Sequence, residues 1–60
     1  LSDEDFLLLR DKKHVVPVMV QALALTEDEA TAMFDSVASM NRRDKISISE
    51  FYEYYRTSQH

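Results

Sequence analysis

Oxygen-bearing side chains gather in one stretch of this chain: Ser39, Asn41, Asp44, Ser47, Ser49 and Glu50 fall within twelve residues. Oxygens spaced along a loop are what a hard cation needs, but a working site gathers several carboxylates around the ion. Here Glu50 would be joined by the hydroxyl and amide oxygens of Ser39, Asn41 and Ser47, and the guanidinium of Arg43 falls where another ligand would have to be. We therefore read Ser39, Asn41, Arg43, Ser47 and Glu50 as a degenerate set, and expect no metal and no cofactor. Catalysis has less to work with. Of the two histidines, His14 lies in a basic segment and His60 at the terminus. The serines Ser36, Ser39, Ser47 and Ser49 are better explained as helix caps and polar helix faces. No catalytic residue is assigned, and no enzyme is expected. Arg42-Arg43-Asp44-Lys45 lies near Tyr52, Tyr54 and Tyr55, a pairing of cations and aromatics that nucleic acid uses. Two of those tyrosines belong to an apolar stripe, however, and the formal net charge of −4 argues against non-specific nucleic-acid binding as the main activity, so no nucleic-acid partner is expected.

The elements that must position these residues are marked by their caps. Thr26-Glu27-Asp28-Glu29 is a capping box, with a hydroxyl for the free amides and a Glu three residues on to reach back. Behind it Ala30, Met33, Phe34, Val37 and Ala38 recur at helical spacing. Ser47-Ile48-Ser49-Glu50 is a second box, from which Phe51, Tyr54 and Tyr55 continue a stripe. Ser2-Asp3-Glu4-Asp5 is a third signal, and the run Phe6-Leu7-Leu8-Leu9 after it is wider than one core stripe. Arg10 to His14 reads as a polar loop. Pro17 biases Val15 and Val16 to extended structure and suits the first turn of a helix that ends near Leu25.

Sixty residues make one small domain, which buries only about 60% of its unfolded surface. There is no Cys, so neither a disulfide nor a zinc cluster helps to hold it. Gly is absent too, and Asn41 and Asp44 are the residues expected to take left-handed turns in its place. No apolar run has the roughly 20 residues of a membrane helix, no signal sequence opens the chain, and a cytoplasmic setting is expected. The first residue is Leu1 and not Met, which points to a piece of a longer chain or a trimmed product.

Helix, twelve residues from Ser39 to Glu50 with Ile46 eighth and Glu50 last, then a helix opening on Phe51: this outline resembles an EF-hand. Laid on itself at an offset of 31 residues, the chain sets Val15 against Ile46, Val20 on Phe51 and Leu23 on Tyr54. The resemblance implies an all-α, degenerate EF-hand pair of four short helices. It implies a short two-residue antiparallel bridge of Val15 and Ile46, a first hand at about 2–25 and a second at about 26–57. Ser39, Asn41 and Arg43 at the first, third and fifth places of the second loop, and Asp44 where Gly is usual, depart from the calcium-binding pattern. In the first loop the overlay puts Leu8, Arg10, Lys12 and Met19 at the first, third, fifth and last places.

The domain is similar to one lobe of a calmodulin-like protein or myosin light chain. Lobes without their metal ligands clamp a basic amphipathic helix, so the resemblance implies a calcium-independent module on an IQ-type helix, such as that of a myosin heavy chain neck. Its contacts would be Leu7, Leu8, Met19, Met40, Phe51 and Tyr55, with Glu27 and Glu53 at an acidic rim. Two other readings stay open: a regulatory domain of a larger enzyme or channel, and a calcium sensor with unusual ligands.

Overall fold

The computed structural model describes residues 3–58 and shows an all-α chain of four helices. The expected N-cap Ser2, like His60, lies outside the described residues. Helix α1 is Asp3–Leu7, α2 is Lys12–Leu23, α3 is Glu27–Asn41 and α4 is Ile48–Ser58. α2 packs on α3, α3 on α4, and α1 on α4.

Each cap sets a boundary. Thr26 Oγ1 accepts from the Glu29 amide at 3.1 Å while Glu29 Oε1 accepts from the Thr26 amide at 3.1 Å, the reciprocal pair of a capping box. The same exchange opens α4, where Ser47 Oγ accepts from the Glu50 amide at 3.1 Å and Glu50 Oε1 accepts from the Ser47 amide at 3.0 Å. α2 opens on Asp11, whose Oδ1 accepts from the His14 amide. The polar segment expected from Arg10 to His14 is thus mostly helix, and so are Val15 and Val16. Pro17 sits inside α2 and not in its first turn. An interior proline costs about 3 kcal/mol, but Val15, Val16 and Met19 are buried from the same helix. At about 1.5–3 kcal/mol for each such side chain, burial outweighs the proline.

α2 and α3 end on left-handed residues that are neither Asn nor Asp. Ala24 has φ 55° and ψ 40°, and Arg42 has φ 55° and ψ 44°. The expectation for Asn41 and Asp44 fails because the position is set by where each helix stops: Asn41 is still the last helical residue. The Ala24 amide donates to the Val20 carbonyl, and the Arg42 amide to Ala38 and Ser39, so both turns satisfy carbonyls at a helix end.

The two halves meet in one antiparallel bridge, and it pairs Ile46 with Arg10, not with Val15. The Arg10 amide donates to the Ile46 carbonyl at 2.9 Å, and the Arg10 carbonyl accepts from the Ile46 amide at 3.1 Å. The internal offset is therefore 36 residues and not 31. At 36 the halves agree better: Asp11 and Ser47 both cap a helix, and Val15 falls on Phe51, both fully buried. The Val15 bridge was read from the wrong register because α2 was expected to begin after Val16. His14, not Met19, is then the counterpart of Glu50, while Asp3, Asp5 and Leu7 replace Leu8, Arg10 and Lys12 as counterparts of Ser39, Asn41 and Arg43.

The core is Val15, Val16 and Met19 from α2, Ala30, Phe34 and Val37 from α3, Ile46 at the bridge, and Ile48 and Phe51 from α4. No helix of the described residues is long and apolar enough to cross a membrane.

Candidate functional site: a groove between α3 and α4

Two helical faces with complementary spacing line the clearest groove, of about 510 Å³. From α3 come Val37, Met40 and Asn41, at i, i+3 and i+4; from α4 come Glu50, Glu53, Tyr54 and Thr57, at i, i+3, i+4 and i+7. Ser49 completes the lining. The floor is apolar, from Val37, Met40 and Tyr54, and the edge along α4 carries two carboxylates. Met40 is 64% exposed, an unusual cost for a large apolar side chain in a domain with so little core.

The loop from Arg42 to Ser47 joins the two helices that line the groove. Glu50 ties it: Oε1 accepts from the Ser47 amide and hydroxyl, while Oε2 accepts from Asn41 Nδ2 at 3.1 Å and from the Arg43 guanidinium. The carboxylate is committed on both oxygens to protein donors, and the positive charge facing it belongs to Arg43. Arg43 thus does for this loop what a bound cation would do, neutralising Glu50 and drawing the loop onto α4. The first half does not repeat the device: Leu7 stands at the counterpart of Arg43, and Arg10 reaches Nδ1 of His14 at 3.3 Å with no carboxylate between them. Among the described residues no group of three or more His, Cys, Asp and Glu is placed to hold a metal ion.

The structure brings together only part of the contact set expected from sequence. Met40 and Glu53 share the groove. Met19 and Phe51 are 2% and 0% exposed and belong to the core, so the expectation that they touch a partner does not hold in this conformation. Their helical spacing marked an apolar face and could not say whether that face is covered. Leu7 and Leu8 are exposed but stand on the α1 side, and Glu27 lies beside Val16, Pro17, Val20 and Gln21 at the far end of α3. Tyr55 is half-buried, with its ring stacked on Tyr52 at 6.4 Å. Val37, Tyr54 and Thr57 were missed as groove residues. Their signal was present: Glu50, Glu53, Tyr54 and Thr57 recur at helical spacing on a stripe that adjoins the Phe51 stripe and shares Tyr54 with it. Comparison with family models, curated proteins and solved structures finds no match for this chain.

Proposed function

We propose that the domain is a calcium-independent binding module whose α3–α4 groove holds a basic amphipathic helix. The observation that carries this reading is the groove itself: an open apolar floor of Val37, Met40 and Tyr54, edged by Glu53, whose pair with Arg56 is solvent-exposed and open to exchange for a partner's cation. An apolar face with cations beside it complements that surface, and a helix lying in a groove presents such a face at i, i+3, i+4 and i+7. Calcium has no part in this reading, because Arg43 already occupies the charge position at Glu50. The degenerate EF-hand resemblance points the same way, toward IQ-type helices such as a myosin neck and toward the cytoplasm where they act. The groove narrows the contact set to Met40, Glu53, Tyr54 and Thr57.

The test is titration calorimetry with a Lys- and Arg-rich amphipathic peptide, in calcium and in chelator. Binding should be equal in both, should be lost in Met40→Asp, and should survive Leu8→Asp. Binding that needs calcium, or that Met40→Asp leaves intact, overturns the proposal.

A further inference from the structure

Charge is segregated along this small molecule. Six of its seven Lys and Arg fall in two short segments, 10–13 and 42–45, and the Arg10–Ile46 bridge brings those segments to the same end. α3 carries Glu27, Asp28 and Glu29 in its first turn and spans about 22 Å, so its acidic start is held away from that basic end. At the basic end Leu9, Arg42, Arg43, Asp44 and Lys45 line a shallow depression of about 450 Å³. Leu9 in its lining is 44% exposed, and Leu7 and Leu8 just before it in the chain are 68% and 49% exposed. The α3–α4 groove uses none of these side chains. Arg43 is spent on Glu50, but among the described residues Arg42 and Lys45 make no ion pair.

We propose that this bridge-end face is a second docking surface, and that its occupant is an acidic peptide segment with an apolar anchor. Charge complementarity selects the occupant: Arg42 and Lys45 line the depression together with the exposed Leu9 and outnumber its one carboxylate, Asp44, so an acidic segment carrying a leucine or isoleucine complements it. The concave shape takes a side chain, which a flat lipid surface does not supply. The domain then joins a basic helix at one face to an acidic segment at another, and the two sites fail or succeed independently.

The experiment uses a fluorescein-labelled peptide in which Glu alternates with Ala around two Leu anchors, read by anisotropy against a counterpart with Gln for Glu. The acidic peptide should bind at least about tenfold tighter than the Gln peptide and weaken steeply with salt. Arg42→Glu with Lys45→Glu should abolish that preference, while Met40→Asp should not alter it. A second pair, Arg42→Gly with Lys45→Ser, removes the charges at exposed positions and relieves the left-handed Arg42, so loss of binding there is not loss of fold. Equal affinity for the two peptides, or unchanged affinity in both paired variants, overturns the proposal. So does capture of the face by vesicles of anionic phospholipid or by a second copy of the chain, read by sedimentation, if Leu8→Asp abolishes it and the peptide does not compete.

Discussion

At the scale of single residues, the two left-handed turns carry removable strain. A non-glycine residue in this region costs roughly 1 kcal/mol, because its Cβ crowds the following carbonyl oxygen. Ala24→Gly keeps the turn, loses the Cβ and leaves no charge or core contact behind, so it should raise unfolding stability by about 0.5–1 kcal/mol. A urea midpoint that falls would show that Ala24 is held by packing. Glu50 makes the opposite case. Its oxygens accept from Ser47, Asn41 and Arg43, so Glu50→Ala removes the return bond of the capping box and uncouples the loop from α4 at once. The return bond to the Ser47 amide is worth about 1 kcal/mol. The half-exposed Arg43 pair adds less than about 1 kcal/mol after solvent screening. A loss of about 1–2 kcal/mol is expected in denaturant, with calcium restoring none of it.

At the scale of elements, α2 shows where sequence was legible and where it was not. The starts of α3 and α4 were readable because each is written locally, as Thr26 with Glu29 and Ser47 with Glu50, and the structure forms both reciprocal pairs. The start of α2 was not, because its cap Asp11 stands before a run of cations and its Pro17 argues for a later beginning. Only the burial of Val15 and Val16 against α3 settles that contest, and burial is a property of the partner helix. The five-residue error passed into the bridge and the repeat register, so one misplaced helix start displaced Val15, Met19 and the whole first loop. The groove suffered likewise: its residues have helical spacing, yet which stripe is covered depends on packing between α2, α3 and α4. A measurement follows for this element. Pro17 is exposed, and the Lys13 carbonyl loses its helical donor there, so Pro17→Ala should stabilise the domain by about 1–3 kcal/mol, after allowing for added freedom in the unfolded chain. No gain in the urea midpoint would mean that α2 is bent at this point to fit α3.

At the scale of the whole molecule, stability and binding are one question. A domain of 60 residues is expected to hold only about 3–9 kcal/mol, and this one has neither disulfide nor Gly-relieved turns and leaves Leu7, Leu8 and Met40 in water. The surface ion pair of Lys12 with Asp35 clasps α2 to α3 but, with both side chains about half exposed, contributes little. A ligand that binds the folded state alone adds RT ln(1 + [L]/Kd), about 2.7 kcal/mol at one hundred times Kd. For a chain this short that corresponds to a rise in Tm of roughly 10–20 °C. A basic amphipathic peptide should therefore raise the melting temperature by that amount, equally with calcium and with chelator, and should fail to do so for Met40→Asp. The same peptide should still protect the Arg42→Glu, Lys45→Glu variant, whose acidic-peptide face is gone. Protection that disappears in that variant would place the basic helix on the bridge-end face, against the charge pattern argued for both surfaces. Calorimetric scans of the three chains, with and without peptide, separate these outcomes, because each variant removes exposed side chains from one face and leaves the core of Phe34, Ile46 and Phe51 untouched.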